Sequence, residues 1–189
     1  MKKHLLFLLI IIFYGCTESN LAFHPRSNPS EGTLELVQTF GGSKNDVAKS
    51  VISTVDGGFA VLGYTQSLDG DITDKATENY DFWMLKFDSE AQLEWNKTYG
   101  GSGDDRGSSL VETSDGGYAL LGYSDSSDGD VSSNNGNRDF WLVKINASGV
   151  LSWQKSFGYE GVDEGVSIIE TFDNHLKPLI ALNDCQMFL

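Results

Sequence analysis

Short apolar runs separated by turn residues make up most of the chain from residue 40 onward. Residues 59–64 read Phe-Ala-Val-Leu-Gly-Tyr and residues 81–87 read Asp-Phe-Trp-Met-Leu-Lys-Phe, and segments rich in Gly, Asp, Ser or Asn separate such runs. Runs of this length with many β-branched and aromatic residues are typical of strands. No stretch carries apolar residues at the helical spacing for long enough to predict a helix. The pattern therefore predicts an all-β chain.

The strand pattern repeats along the chain. Phe40, Tyr99 and Phe157 occupy matching positions, at spacings of 59 and then 58 residues. Residues 34–92 form repeat 1, residues 93–150 form repeat 2, and residues 151–189 form a partial, divergent repeat 3. Units of this kind bury their faces by stacking against their neighbours.

Each full repeat holds four predicted strands. Asp-Gly-Gly segments at residues 56–58 and 115–117 suit tight hairpins, because glycine tolerates positive φ. Four strands in about 58 residues is the size of one β-propeller blade. We therefore predict tandem four-stranded, propeller-blade-like repeats, about 2.5 blades in number and so incomplete. A β-sandwich and an open β-solenoid are the alternatives.

The third repeat departs from the pattern after Asp173. Asn174 and His175 replace the expected Gly-Gly pair, and Pro178 falls in the next expected strand, where it cannot donate to a ladder. Two full units and a partial one cannot close a ring of about 4–8 blades. A truncated reading frame, a divergent last unit and a protomer completed by a partner are all compatible with this. Open sheet edges would favour self-association.

Three motifs carry a family resemblance. They are Trp-Asn-Lys-Thr-Tyr-Gly-Gly at residues 95–101, Asp-Gly-Gly-Tyr at 115–118 and Gly-Tyr-Ser at 122–124. Over residues 34–172 the chain resembles the tandem propeller-like repeats of secreted and surface proteins of Gram-negative bacteria. The resemblance implies a binding or scaffolding module without catalysis. It also leaves open a truncated, non-catalytic part of a secreted polysaccharide-degrading hydrolase.

The N-terminus predicts export and lipidation. Lys2 and Lys3 precede an apolar run at residues 5–14, and Gly15 and Cys16 follow it. This is the order of a signal peptide, and the run is shorter than the roughly 20 residues that span a bilayer. Cys16 resembles the cysteine of a bacterial lipobox, which implies a signal peptide over residues 1–15 and lipidation, such as palmitate, at Cys16. An ordinary signal peptide of a secreted protein is the alternative.

The lipobox resemblance also predicts a location. Residues 16–33 are polar, hold two of the three prolines and form the predicted tether. The membrane is then a partner through the lipid anchor, in the cell envelope as an outer-membrane lipoprotein that faces the periplasm or the exterior. Loss of the signal leaves 11 basic and 27 acidic residues. This acidity argues against nucleic acid as a partner. The family resemblance implies a glycan or a protein as the ligand.

Clustered carboxylates are the candidates for cation binding. Two Asp-Gly-Asp loops contribute Asp69 and Asp71 in repeat 1 and Asp128 and Asp130 in repeat 2, and Asp74 follows the first loop. Carboxylate oxygens on a glycine-bent loop are ligands that Ca²⁺ prefers, so calcium is the one cofactor we consider. The alternative is a hydrophilic turn in which Asp accepts backbone hydrogen bonds.

Other repeated side chains are expected to be structural. An Asp recurs after each aromatic-Gly segment and before each Phe-Trp pair, whereas a catalytic carboxylate would be expected once; these are Asp46, Asp105, Asp163, Asp81 and Asp139. Repeated aromatics could contact a sugar but are more often core; these are Trp83, Trp95, Trp141, Trp153, Tyr64 and Tyr123. Lys86 and Lys144 lie inside apolar strands, where lysine extends its ammonium to water or pairs with an Asp.

Overall fold

Residues 38–182 are described by the computed structural model, and they contain ten β-strands and no helix. Blade 1 consists of β1 (Asp46–Ser53), β2 (Phe59–Thr65), β3 (Asp81–Phe87) and β4 (Leu93–Tyr99). Blade 2 consists of β5 (Asp105–Glu112), β6 (Tyr118–Ser124), β7 (Asp139–Ile145) and β8 (Leu151–Phe157). Blade 3 consists of β9 (Asp163–Glu170) and β10 (Leu176–Leu182). In this part of the chain no helix is both long and apolar enough to cross a bilayer.

Each blade is an antiparallel sheet whose strands follow one another in chain order. Blades 1 and 2 have four strands each, and the described part of blade 3 has two. The prediction of an all-β fold with tandem four-stranded, blade-like repeats is therefore confirmed. The described blades form an open stack and do not close into a ring.

The blades are out of phase with the sequence repeats. Leu93–Tyr99 opens repeat 2 in the sequence, but as β4 it pairs with β3 and completes blade 1. Leu151–Phe157 completes blade 2 in the same way. Repeat 2 therefore contributes one outer strand to blade 1 and three strands to blade 2, and the first strand of repeat 3 likewise completes blade 2.

The middle strands of each blade are buried on both faces. All seven residues of β3 and all seven of β7 are buried, which explains why their sequences do not alternate between apolar and polar. Phe82 of β3 meets Trp141 of β7 edge to face at 4.8 Å between ring centroids. The core between blades 1 and 2 consists of Ala60, Leu62, Phe82, Met84, Tyr99, Leu110, Tyr118, Leu120, Val131, Trp141, Val143 and Ile145.

Glycines let the blades approach closely. A Cβ at Gly107 of β5 would lie 2.7 Å from the carbonyl oxygen of Gly63 in β2. A Cβ at Gly165 of β9 would lie 2.4 Å from Leu121 Cγ in β6. The backbones of successive blades therefore touch where a side chain would otherwise separate them.

β10 forms in spite of Pro178, at the place where the sequence predicts an interruption. Pro178 lies opposite Ile168 of β9. Ile168 donates its amide to Ser109 Oγ in blade 2 at 3.2 Å, so its amide points away from β10 and the two residues form a non-hydrogen-bonded pair. The ring nitrogen of Pro178 therefore faces the outer edge of β10, where no ladder bond to β9 is lost.

Candidate functional site

The Asp-Gly-Asp loops hold the segment that leads into each blade. Asp69 Oδ1 accepts the amide of Ser43 at 2.7 Å, and Asp71 Oδ2 accepts the amide of Gly41 at 2.8 Å. The hydrogen bond from Ser43 is the main reason that the pKa of Asp69 is lowered. These carboxylates fix backbone amides of an adjacent loop.

The second loop repeats these contacts. Asp128 Oδ1 accepts the amide of Ser102 at 2.7 Å, and Asp130 Oδ2 accepts the amide of Gly100 at 3.2 Å. The neighbouring Asp74 turns to β4 instead, where it accepts both the hydroxyl and the amide of Thr98 at 3.0 and 3.2 Å. Within residues 38–182, no group of three or more His, Cys, Asp or Glu residues is placed to hold a metal ion. The five calcium candidates are thus distributed over separate backbone contacts.

An aspartate at the start of each first strand is buried and hydrogen-bonded. Asp46 accepts the amide of Gly42 at 2.8 Å, the hydroxyl of Ser67 at 2.9 Å and the hydroxyl of Thr65. Asp105 accepts the amide of Gly101 and the hydroxyl of Ser126, both at 2.8 Å. The expected structural role of the repeated aspartates agrees with these contacts.

The strand lysines pair with acidic residues. Lys86 Nζ lies 2.8 Å from Asp56 Oδ2, 2.8 Å from Glu94 Oε2 and 2.8 Å from the carbonyl oxygen of Phe87. These three acceptors use all three ammonium protons. The hydrogen bond from Lys86 is the main reason that the pKa of Asp56 is lowered to about 2. Lys144 makes the matching pair with Asp115 at 3.0 Å.

A cleft of about 570 Å³ opens beside Lys86, at the hairpin end of the interface between blades 1 and 2. Trp95 of β4 and Tyr118 of β6 form its aromatic wall and meet edge to face at 6.2 Å between ring centroids. Burial raises the pKa of Tyr118 to about 12, so its hydroxyl stays protonated near neutral pH. The cleft is lined by Val55, Asp56, Lys86, Glu94, Trp95, Glu112, Gly116, Tyr118, Ala147 and Ser148.

The cleft is bridged by a contact that recurs between blades 2 and 3. Glu112 of blade 2 accepts the amide of Val55 in blade 1 at 2.8 Å. Glu170 of blade 3 accepts the amide of Ser114 in blade 2, also at 2.8 Å. Sequence reasoning missed Glu112, Glu94 and the role of Tyr118. The recurrence of a Glu at matching positions 112 and 170 is the signal that could have found the first.

The four tryptophans among the aromatic sugar-contact candidates divide into two groups. Trp83 and Trp141 belong to the core at 1% and 0% exposure, and their indole N–H groups donate to Asn96 and Gln154. Trp95 lines the cleft, and Trp153, its equivalent in β8, is 42% exposed. Only the second group is accessible to a ligand.

The remaining candidates, Tyr64 and Tyr123, lie under arginine side chains. The guanidinium of Arg106 in blade 2 lies 5.2 Å from the ring centroid of Tyr64 and 4.1 Å from that of Tyr80, both in blade 1. Arg138 lies 3.9 Å from the ring centroid of Tyr123 within blade 2 and binds Glu164 of blade 3 at 2.9 Å. The arginine thus comes from the following blade at the first interface and from the preceding blade at the second.

Cys16, the predicted lipidation site, and the tether over residues 16–33 lie outside the described residues. No family model matches the chain, and no curated protein matches it.

Proposed function

We propose that the chain is an exported lipoprotein whose β-repeats form a non-catalytic binding module, with the cleft between blades 1 and 2 as the ligand site. The observation that carries the proposal is the juxtaposition of Trp95 with Glu94 and Glu112 at the cleft. An aromatic wall beside carboxylates suits a glycan, because the ring packs on the apolar face of a sugar and the oxygens accept its hydroxyls.

The charges at the cleft narrow the ligand class. Lys86 is the only cation among the lining residues, and its ammonium already has three acceptors. Three carboxylates, Asp56, Glu94 and Glu112, line the same cleft. An anionic ligand would meet net negative charge there, so neutral or amino-bearing glycans are the preferred class.

Burial argues against the repeated aspartates as the catalytic pair of a glycosidase. Asp105 and Asp139 are 0% exposed and Asp81 is 7% exposed. A glycosidase needs its two carboxyl groups on either side of a bound substrate. Carboxyls enclosed between sheets offer no room for one.

A glycan array with the full chain in detergent tests the binding role. Trp95→Ala and Glu94→Gln should lower the signal of any bound glycan at least tenfold. Glu78→Gln, an exposed change in the loop before β3 and away from the cleft residues, should leave it unchanged. Binding to no glycan would end the glycan proposal and leave a protein ligand.

Metabolic labelling with palmitate tests the anchor. The wild-type chain should incorporate label and fractionate with the outer membrane. Cys16→Ala should lose both, whereas Cys185→Ala should retain both. Label that persists in Cys16→Ala would refute lipidation at this residue.

A further inference from the structure

Two carboxyl groups face each other across a glycine at each blade interface. A Cβ at Gly100 would lie 2.6 Å from Asp105 Oδ2 and 2.9 Å from Asp81 Oδ1. A Cβ at Gly158 would lie 2.6 Å from Asp163 Oδ2 and 2.2 Å from Asp139 Oδ1. In both pairs one aspartate begins the third strand of a blade and the other begins the first strand of the next blade.

In each pair, the aspartate that begins the third strand has one buried oxygen without a hydrogen-bond donor. Asp139 Oδ1 is buried and accepts no hydrogen bond within the described part of the chain. Asp81 Oδ1 is likewise buried without a hydrogen-bond donor, and its nearest cation is Lys75 Nζ at 3.5 Å. A buried carboxylate without donors is costly in the ionised form. Protonation of one member of each pair removes that cost and the repulsion between the members.

We propose that the pairs Asp81–Asp105 and Asp139–Asp163 form proton-dependent joints, which hold successive blades together when one carboxyl of each pair is protonated and weaken when both are ionised. The strand starts are coupled directly to the stack. The amide of Asp105 donates to the carbonyl of Tyr80 at 2.6 Å, and the amide of Asp163 donates to that of Arg138 at 2.8 Å. Repulsion within a pair therefore acts on the backbone contact between blades.

Burial favours the protonated form at the first joint. Burial, opposed in part by Lys75 and reinforced by Asp105 and Asp130, raises the pKa of Asp81 to about 7. Burial also raises the pKa of Asp105 to about 6, against hydrogen bonds from Ser124, Gly101 and Ser126 and with repulsion from Asp125. Burial and Asp74 raise the pKa of Asp130, which accepts the amide of Gly100.

The second joint has no lysine at the position of Lys75, where the sequence has Asn134. Burial raises the pKa of Asp139, opposed by the amide of Asn135 and reinforced by Asp163. The charged side chains beside this pair, Arg138 and Glu164, bind each other. At the first joint, where the pKa of Asp81 is raised to about 7 and that of Asp105 to about 6, the stabilisation is complete below about pH 4 and is lost as the pH rises through about 6 to 7. At the second joint, the raised pKa of Asp139 means that the stabilisation is likewise lost as the pH rises.

Urea unfolding of the full chain in detergent, followed by tryptophan fluorescence from pH 5 to pH 8.5, tests the proposal. The wild-type midpoint should fall as the pH rises. Asp81→Asn/Asp139→Asn, which mimics the protonated pairs, should flatten the profile and unfold at higher urea than wild type at pH 8. Glu78→Gln should follow the wild-type profile. A level wild-type profile, or equal flattening by Glu78→Gln, would overturn the proposal.

A carboxyl ¹³C titration of the wild-type chain keeps the test valid if the double variant does not fold. At least two aspartate carboxyls should titrate above pH 5.5. All carboxyls titrating below pH 5 would overturn the proposal. Lys75→Met should move the first of these titrations to higher pH, because Lys75 Nζ lies 3.5 Å from Asp81 Oδ1, and no movement would overturn the proposal for the first joint.

Discussion

Gly107→Ala should separate blades 1 and 2. The added methyl would lie 2.7 Å from the carbonyl oxygen of Gly63 and 2.9 Å from Leu62 Cγ, whereas ordinary contact begins at 3.4 Å. Both neighbours belong to β2, which is held in the centre of its sheet and cannot move alone. The whole interface would have to open by about 0.7 Å.

The cost follows from the loss of packing across that interface. A gap of about 0.5–1 Å forfeits a quarter to a half of each dispersion contact, and overpacked cores typically lose about 1–3 kcal/mol. With an m-value of about 2 kcal/mol/M, the urea midpoint should fall by roughly 1 M. Tryptophan fluorescence reports this directly, because Trp141 contacts Phe82 across the same interface.

Gly161→Ala is the matched control. A Cβ there meets nothing within 4 Å, and its φ is not positive, so its midpoint should stay within about 0.5 kcal/mol of wild type. A Gly107→Ala midpoint equal to that of Gly161→Ala would refute the close approach of the blades.

Three further predictions concern ions and edges. Lys86→Met should change the free energy of unfolding by less than about 1 kcal/mol, because Asp56 and Glu94 are 56% and 44% exposed and water can solvate them; a loss above about 3 kcal/mol in urea unfolding would contradict this. Millimolar Ca²⁺ should leave the melting temperature unchanged, because the Asp-Gly-Asp carboxylates already accept amide hydrogen bonds, and a clear rise would support the calcium hypothesis. Pro178→Val introduces an amide at the outer edge of β10 and should increase self-association in sedimentation velocity. A variant that stays monomeric at all concentrations would show that Pro178 is not what prevents this edge from pairing with another chain.

The strands were predictable because each apolar run is bounded by residues that favour turns: glycine tolerates positive φ, and Asp or Asn accepts hydrogen bonds from nearby backbone amides. The hairpin of blade 3 was missed because Asn174 and His175 replace Gly-Gly. Asn174 adopts φ 63°, the left-handed region that Asn tolerates better than most residues. Thr171 also donates to Asp173 at 2.5 Å, as Thr113 does to Asp115 at 2.6 Å. The Thr-x-Asp spacing, rather than the glycines, marks this turn.

The blade boundaries and the cleft were not predictable from one sequence. The repeat period is the same whichever strand is taken as the first, so the sequence cannot show that β4 closes blade 1. The cleft residues come from two blades: Glu94 belongs to β4 and Glu112 to β5. Contacts between residues of different blades depend on how the blades stack, and local sequence patterns carry no information about this stacking.

The arginine comes from the following blade at the first interface and from the preceding blade at the second, so the two interfaces are not interchangeable. Were blade 3 to stack on blade 1, Glu164 would replace Arg106 over Tyr64 and Tyr80 and would face the negative faces of their rings. Were a second copy of blade 2 to stack on blade 2, Arg106 would meet Arg138. These contacts therefore favour the order blade 1, blade 2, blade 3 over stacks in which a blade is skipped or repeated.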